Sequence, residues 1–392
     1  MDLPLEGIRV VDFTQYQQGT MCTEMLSDWG ADVIKVEPRL VGEPGRGGNP
    51  WGPKGVPVYF EAYNRNKKSI TVDLKTDKGK EIIYRLVKTA DIFAQNFRPG
   101  VAERLGFGYK ALSDINPRII YLSGSGFGLK GPMRDRPGFD SVGQAMGGIM
   151  SITGPPGSPD QTIGAGIGDQ TGGFLLSWGA LLALIDRDRT GEGQEVDVSL
   201  IGSVVALQGA TLLANPLTGH VPKKSRGRIT STIFACSFMA GDGKSFIIQT
   251  VGGEKRDKVF MIAGLDQDSR FDTKEKRKQN QEEMIDAFQA VFSTKPREEW
   301  LKIFVDADIV CAPVYNHAEV SADPQVIANE YIVQINHPAE GPIRVLGNPI
   351  HLGKHKARIG VAPLLGQHND EVLKEAGHSG EEIAGLREEE VI

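Results

Sequence analysis

Ile8-Arg9-Val10-Val11-Asp12-Phe13 and Asp32-Val33-Ile34-Lys35-Val36-Glu37 are two short, mostly apolar runs near the N-terminus, and they decide the fold. Runs of this length and composition are typical of buried strands. Between them, Met21 to Trp29 has the spacing of a helix, and Pro38 ends the second run. This order predicts a βαβ unit, the start of a parallel sheet. No GxGxxG motif follows the first strand, so the dinucleotide fingerprint is absent.

The same alternation of strands and helices continues through the first half of the chain. It predicts an α/β fold in which a large domain, residues 1–214, carries a parallel, Rossmann-like sheet flanked by helices. The further strands are expected at Ser69–Leu74, Asp91–Asn96, Ile119–Ser123 and Glu195–Leu200. The helices between them are expected at Thr76–Thr89, Val101–Leu105, Tyr109–Ile115 and Val142–Ile152, and residues 40–57 are expected to be a loop.

The second half of the chain has a different pattern. Residues 215–230 are basic and rich in Pro and Gly, which predicts a linker. Residues 231–320 predict a smaller α+β domain that begins with a hairpin, Thr232 to Met239 and Ser245 to Val251. Residues 321–392 are predicted to be a C-terminal segment that returns to the large domain.

Composition excludes several classes of function. The chain has 392 residues, of which 40% are hydrophobic and 24% charged, as in ordinary globular proteins. Its net charge of −6 argues against a nucleic-acid partner. Cys22, Cys236 and Cys311 form no disulfide or zinc pattern, and we see no signal peptide and no run long enough for a membrane span. We therefore expect a cytoplasmic protein with no membrane partner.

The usual catalytic motifs are missing too. There is no GxSxG elbow and no Walker motif. All seven histidines lie in the second half of the chain. His351 and His355 are four residues apart, but Pro349 and Gly353 argue against a helix there, so we predict no metal site.

One acidic residue stands out, in Gly164-Ala165-Gly166-Ile167-Gly168-Asp169-Gln170-Thr171-Gly172-Gly173. Asp169 precedes an apolar helical run, Phe174 to Ile185, and Asp is favoured as a helix N-cap. Glycines also let a substrate come close to the backbone, so Asp169 could instead be a nucleophile or a general base. Composition and spacing do not choose between these roles.

Many further motifs, taken in order, resemble the family III CoA-transferases, the CaiB/BaiF group that includes formyl-CoA transferase and carnitine CoA-transferase. No single motif is decisive, but their order and spacing are specific. They are Leu5 to Phe13, Leu26 to Pro38, Asn66 to Ile70, Asn96-Phe97-Arg98-Pro99-Gly100, Arg104-Leu105-Gly106, Asp135 to Asp140, Gly168-Asp169, Thr190 to Gln194, Ala362 to His368 and Asp370 to Leu373.

The resemblance implies that CoA moves from an acyl-CoA donor to a carboxylic acid through mixed anhydrides and a β-aspartyl-CoA thioester on Asp169. CoA and acyl-CoA are then substrates, with no permanently bound cofactor. The implied CoA-binding residues are Gln17, Gln18, Arg39, Val72, Lys75, Asn96, Phe97, Arg98, Arg104, Arg136 and Pro137, and the implied substrate or orienting residues are Asp140, Gly168, Gly252 and Gly253. Asp140 could orient the acceptor or Asp169, or cap a helix, and the glycine-rich turn is expected to supply N–H donors for an oxyanion.

Two departures from formyl-CoA transferase bear on the substrate. Its tetraglycine insert is missing, since only Gly252 and Gly253 follow Val251, and Pro38 stands where that enzyme has a second consecutive arginine. We therefore expect an acceptor bulkier than oxalate: an aryl, hydroxy or dicarboxylic acid. The resemblance also implies an interlocked homodimer, or a heteromer with a paralogous subunit.

Two other functions use the same scaffold. An acyl-CoA racemase of this fold pairs a histidine with an aspartate, but residues 1–219 contain no histidine, which disfavours it. An inactive partner subunit of a heteromeric CoA-transferase is the other alternative, and the presence of Asp169 argues against it.

Overall fold

The computed structural model describes residues 3–47, 57–229 and 233–392. The chain folds into two units: one comprises residues 1–150, 162–220 and 327–392, and the other residues 151–161 and 221–326. The segment 151–161 was not predicted to belong to the smaller unit. The expected linker 215–230 also contains regular structure, since a helix runs to Thr218 and a strand spans Gly227–Ile229.

The first unit is built on a six-stranded parallel sheet in the order β3-β2-β1-β4-β5-β6. The strands are β1 (Arg9–Asp12), β2 (Asp32–Glu37), β3 (Lys68–Thr71), β4 (Ile92–Gln95), β5 (Ile120–Ser125) and β6 (Glu195–Ser199). This confirms the predicted α/β class and Rossmann-like sheet. The order reverses between β1 and β4, and ligands of such sheets bind beyond the carboxyl ends of the strands at that point.

Nine helices among the described residues connect or extend these strands. They are α1 (Gln18–Asp28), α2 (Val58–Asn64), α3 (Asp77–Thr89), α4 (Val101–Leu105), α5 (Tyr109–Ile115), α6 (Asp140–Met146), α7 (Ile167–Thr190), α8 (Leu200–Gln208) and α9 (Ala210–Thr218), with 3₁₀ turns at Pro44–Arg46 and Ile149–Ile152. Helix α2 was not predicted. Much of the loop expected at 40–57, residues 48–56, lies outside the described residues.

Both faces of the sheet are covered, which is why the central strands β4 and β5 are buried along their whole length. Successive strand residues point to opposite faces, so Val10 and Val11 enter different cores. Val11 packs in a core with Leu86 of α3 and with Leu373, which lies near the C-terminus. Val10 packs in a core with Leu26 of α1 and Leu176 of α7.

Helices α1 and α7 cross at very short range because α7 carries glycine at the contact. A Cβ atom on Gly173 would lie 2.9 Å from the backbone oxygen of Gln18, and one on Gly172 would lie 2.6 Å from the Gln18 side-chain nitrogen. Only glycine fits there. The crossing brings the first turns of both helices together beyond the carboxyl end of the sheet.

The second unit contains a four-stranded sheet, order β10-β9-β8-β7, whose pairings are antiparallel. Pairing of Phe238 with Phe246 confirms the predicted hairpin. The elements are β7 (Gly227–Ile229), β8 (Ile233–Met239), β9 (Ser245–Val251), α10 (Gly253–Ala263), α11 (Lys274–Gln279), α12 (Gln281–Phe292), α13 (Arg297–Asp306), β10 (Val310–Pro313), α14 (His317–Ala322) and α15 (Pro324–Ala328). Phe234, Phe288 and Phe292 are fully buried in its core.

Residues 327–392 add a hairpin and two helices to the first unit. These are β11 (Ile332–His337), β12 (Gly341–Leu346), α16 (Asn369–Glu375) and α17 (Gly380–Glu388). Among the described residues, no single helix is long and apolar enough to span a membrane. Helices α8 and α9, which meet at a bend of 81°, are together long and apolar enough by length and composition alone.

Candidate active site

The loops after β1 and β4 meet at the point where the strand order reverses. The backbone N–H of Gln15 donates to the Asn96 side-chain oxygen over 2.8 Å, and the Asn96 amide donates back to the Gln15 oxygen over 2.7 Å. This reciprocal pair fixes the path of the chain into α1. Asn96 lines the cleft as predicted, but its amide group is engaged by the protein backbone.

Buried charges support the same loop from below. Asp12 ends β1 and accepts from the backbone N–H of Thr14 and from Lys67 Nζ at 3.1 Å. Lys35 Nζ donates to the Thr14 backbone oxygen over 2.9 Å. Burial raises the pKa of Asp12, but Lys67, Lys35 and the Thr14 hydrogen bonds outweigh it and leave the pKa below its usual value. The loop that leads to Gln17 and Gln18 is therefore held by buried charged side chains that are paired with one another.

A cleft of about 550 Å³ opens beside this loop. Nine of the predicted residues line it: Gln17, Gln18, Asn96, Phe97, Arg98, Arg104, Arg136, Pro137 and Asp169. Three others, Arg39, Val72 and Lys75, line a second cleft of about 540 Å³. The two clefts share Gln15, Phe97 and Val101, so they adjoin.

The first cleft is rich in available positive charge. Arg98, Arg104 and Arg136 are exposed, and none of them forms an ion pair with any carboxylate that the structure describes. Arg39, in the second cleft, pairs with Glu390 at 3.0 Å. Guanidinium groups bind phosphate and carboxylate oxygens in bidentate geometry, so this cleft suits a polyanionic ligand.

Asp169 is in the first turn of α7 but is not its N-cap. Gly166 occupies the N-cap position. Asp140 satisfies the first turn instead: its Oδ1 accepts from the backbone N–H groups of Gly168 at 2.7 Å and Asp169 at 3.2 Å. Gln144 donates to its Oδ2 over 2.5 Å. The Asp169 side chain is thereby left to face the cleft.

One N–H group of the glycine-rich turn is already engaged. The turn was expected to supply N–H donors for an oxyanion, and the backbone N–H of Gly168 donates to Asp140 instead. Its surroundings are also tight, since a Cβ on Gly168 would lie 3.1 Å from Asp140 Oδ1 and 3.2 Å from Val204. Gly168 thus serves the contact between α7 and its capping residue.

The environment of Asp169 disfavours its charge. Burial, followed by the nearby negative charge of Asp140, raises the pKa of Asp169 to about 7, and a hydrogen bond from the Gln18 backbone N–H opposes the rise. Gln18 is the first residue of α1, so a helix N-terminus points at the carboxylate. A weakly stabilised carboxylate of this kind is a stronger nucleophile than a solvated one.

Two tyrosines near Asp169 were missed because α2 was not predicted. Tyr59 and Tyr63 are one turn apart on α2, with ring centroids 5.1 Å apart, and Gln170 donates to the Tyr63 hydroxyl over 2.9 Å. Burial and then Asp169 raise the pKa of Tyr59; burial, Glu24 and Asp169 raise that of Tyr63 to about 12. The four-residue spacing of the two tyrosines was the one sign in the sequence that they share a face of a helix.

The remaining predicted residues lie elsewhere. Gly252 and Gly253 belong to the second unit, where Gly252 has a φ of 101° and precedes α10. Their role near the substrate stays a prediction. Among the residues that the structure describes, no group of three His, Cys, Asp or Glu side chains is arranged to hold a metal ion.

Comparison with known proteins identifies the family. The model of CoA-transferase family III matches residues 5–369. The chain belongs to CoA-transferase family III. The resemblance inferred from the sequence is confirmed, and the protein is a CoA-transferase.

This CoA-transferase is similar over nearly its whole length to enzymes named for different acids. It is 34% identical to the succinyl-CoA–D-citramalate CoA-transferase of Chloroflexus aurantiacus, with 99% of this chain and 98% of the relative aligned. It is 35% identical to the human succinyl-CoA:glutarate CoA-transferase, over 95% of this chain and 86% of that one. A formyl-CoA:oxalate CoA-transferase of Rhodopseudomonas palustris is 33% identical, over 99% and 97%.

A solved structure gives the same result for the fold. A CaiB/BaiF family protein from Brucella suis superposes with a TM-score of 0.86 at 31% identity, over 96% of this chain and all of that one. Because the named relatives use different acids, membership of the CoA-transferase family fixes the reaction class and leaves the acid open.

Proposed function

We propose that this enzyme transfers CoA between carboxylic acids through covalent intermediates on Asp169. The observation that carries the proposal is the shared cleft: Asp169 lines it together with Arg98, Arg104 and Arg136, which have no carboxylate partner among the described residues. A carboxylate that can attack a thioester therefore lies beside groups that suit the phosphates of CoA.

The first half of the reaction loads CoA onto the enzyme. An Asp169 oxygen attacks the thioester carbonyl carbon of the donor; a C–O bond forms, the C–S bond breaks, and CoA leaves as a thiolate. The product is a mixed anhydride of Asp169 and the donor acid. The thiolate then attacks the Asp169 carbonyl carbon, the anhydride C–O bond breaks, and the donor acid leaves as a carboxylate. Asp169 is now a β-aspartyl-CoA thioester.

The second half reverses these steps with a different acid. An oxygen of the acceptor carboxylate attacks the Asp169 thioester carbon, which releases CoA thiolate and forms a second anhydride. The thiolate attacks the acceptor carbonyl carbon, and the leaving group is the Asp169 carboxylate. No proton is gained or lost over the cycle. The anhydrides hydrolyse in water, so the site must exclude it during turnover.

The neighbours of Asp169 fit these steps. The backbone N–H of Gln18 at the start of α1 is positioned to stabilise negative charge on the Asp169 oxygens. Asp140 holds the first turn of α7, and so acts as a positioning residue. The adjoining cleft with Arg39, Val72 and Lys75 would receive the part of CoA farthest from the thioester.

The acceptor is proposed to be bulkier than oxalate: an aryl, hydroxy or dicarboxylic acid. The support is the missing tetraglycine insert after Val251 and the range of acids named for similar enzymes.

Trapping of the acyl-enzyme tests the proposal. After incubation with an acyl-CoA, hydroxylamine should convert Asp169 into a hydroxamate that peptide mass spectrometry locates. Asp169→Asn should abolish both the modification and the transfer of CoA, whereas Asp188→Asn, an exposed change on the same helix, should leave both unchanged. Transfer that persists in Asp169→Asn would falsify the proposal.

We also propose that the enzyme assembles as a homodimer through α7. One face of this helix is apolar and exposed at Phe174, Trp178, Leu181, Leu182 and Ile185, with Trp178 60% and Ile185 70% exposed. These residues recur at helical spacing and so form a continuous stripe, which is unusual for a surface in contact with water.

A further inference from the structure

A second cavity, of about 240 Å³, begins one residue beyond Asp169. Along α7, Asp169 lines the large cleft, whereas Gln170 and Phe174 line this smaller cavity. Along α1 the same change occurs between Gln18, in the cleft, and Met21, in the cavity. The reacting carboxyl group therefore lies next to a cavity that the arginines of the cleft do not reach, and we call it the tail cavity.

Tyr63 of α2 lines the tail cavity close to both Asp169 and Glu24. Its hydroxyl accepts from Gln170 over 2.9 Å. Apart from burial, the negative charges of Glu24 and Asp169 both raise its pKa, so the ring lies within range of both carboxyl groups. Glu24 is 5% exposed and lines the cavity. Glu24 therefore contributes a buried carboxyl group to the wall of the tail cavity, near Tyr63.

The walls of the tail cavity are apolar. Met21, Met25 and Phe174 contribute from α1 and α7, and Tyr331, Leu346 and Pro349 from the C-terminal segment. Since one water molecule takes about 30 Å³ in the liquid, the cavity holds on the order of eight non-hydrogen atoms. That volume and lining suit an aliphatic chain or a single aromatic ring.

The charged residues that line the tail cavity leave no cation for a ligand. Arg65 is the one cation among the described residues that line the cavity, and it is committed to the protein. Its Nε and Nη2 donate to Asp28 over 2.9 and 2.6 Å, its Nε is 3.0 Å from Glu24, and its Nη1 donates to the Leu346 oxygen over 2.7 Å. A second carboxylate in the cavity would lie beside Glu24 and would find no free cation.

The pKa of Glu24 agrees with this. Burial, and after it the negative charge of Asp28, raise the pKa of Glu24 to about 8, although Arg65 opposes the rise. The surroundings therefore already disfavour the charge of the protein's own carboxylate, and a further buried anion would be disfavoured for the same reason.

We propose that the tail cavity binds the acyl tail of the transferred acid and selects monocarboxylic acids with an aliphatic or aryl tail over dicarboxylic acids. The inference rests on the proposed function, and among the acid classes proposed above it disfavours the dicarboxylic acids. Met21, Phe174 and Glu24 are then specificity-determining residues.

A matched pair of substrates tests the selection, because hexanoate and adipate have the same number of carbons and differ by one carboxylate. With the wild-type enzyme, kcat/KM for hexanoate should exceed that for adipate by about tenfold or more. Equal values, or a preference for adipate, would overturn the inference.

Variants of the cavity wall test its location. Ala62→Leu fills the tail cavity and should lower kcat/KM for hexanoate about tenfold while leaving acetate unchanged. Phe174→Ala, at a side chain 42% exposed, enlarges it and should move the optimum to longer chains. Ala318→Leu is the matched control, an exposed change in the second unit, and it should alter neither kcat/KM for hexanoate nor the preferred chain length. If Ala62→Leu lowers the values for acetate and hexanoate equally, the tail binds elsewhere.

Binding separates this inference from the catalytic proposal. Calorimetry with Asp169→Asn should show that hexanoyl-CoA binds more tightly than adipyl-CoA, because the tail cavity is intact in that variant. If no acid accepts CoA but this difference in binding remains, the catalytic proposal fails and the cavity assignment stands. If CoA is transferred and adipyl-CoA binds as tightly as hexanoyl-CoA, the cavity assignment fails alone.

Discussion

Asp140 and Asp169 divide between them two roles that one aspartate at a helix N-terminus often combines. Asp140 accepts the free N–H groups of the first turn of α7, and Asp169 is left with its carboxyl group towards the cleft. The cost is repulsion between two carboxylates, which helps to raise the pKa of Asp169. The pair thus holds the helix and activates the proposed nucleophile together.

The pH dependence of the rate follows from this pair. Only the carboxylate form of Asp169 attacks, so kcat/KM should rise with pH through an apparent pKa of about 7 and fall about tenfold per pH unit well below it. Asp140→Asn keeps a side-chain oxygen for the Gly168 and Asp169 N–H groups but removes the charge. The apparent pKa should therefore fall, which a pH–rate profile measures. An unchanged midpoint in Asp140→Asn would show that Asp140 acts through structure alone.

At the scale of elements, the site depends on how closely α1 approaches α7. The Gln18 N–H reaches Asp169 because Gly172 and Gly173 leave no side chain between the helices. The same closeness separates the large cleft from the tail cavity, since neighbouring residues of each helix line different spaces.

Adding one methyl group at this crossing should be costly. In Gly173→Ala the new Cβ would lie 2.9 Å from the Gln18 backbone oxygen, which cannot move without shifting α1. We expect a loss of about 1–3 kcal/mol in the free energy of unfolding, measured with urea. Gly385→Ala is the control, because its Cβ meets nothing within 4 Å and α17 should gain about 0.5–1 kcal/mol. A neutral Gly173→Ala would mean that the helices are less tightly packed than described.

At the scale of the whole molecule, the apolar face of α7 is a surface that a single chain leaves uncovered. A charge in the middle of the stripe should prevent its burial against another copy. We expect Trp178→Asp with Leu182→Asp to be monomeric in analytical ultracentrifugation when the wild type is dimeric. Asp188→Lys changes charge at an exposed polar position of the same helix and should remain dimeric. A wild-type monomer at micromolar concentration would refute the assembly.

The sequence predicts the parallel sheet well because its strands are buried on both faces and read as continuous apolar runs, such as Ile119 to Leu122. The sequence locates Asp169 and the arginines of the cleft only through family motifs. The residues next to an arginine in the sequence do not show whether it has a carboxylate partner, as Arg39 does. The sequence could not show which of its possible roles Asp140 has, because the N–H groups that it caps, those of Gly168 and Asp169, are distant in the sequence. Helix α2 is short, and its tyrosines were missed with it.

The reversal of strand order between β1 and β4 has a consequence for how such enzymes diverge. The groups proposed to hold CoA follow the strands and their loops, whereas the tail cavity is lined from α1, α2, α7 and the C-terminal segment. If the tail cavity binds the acid as we propose, substitutions in those helices would change the preferred acid without disturbing the sheet or the bound CoA. Enzymes of one scaffold could then transfer the same CoA to different acids, and the similar enzymes are indeed named for different acids.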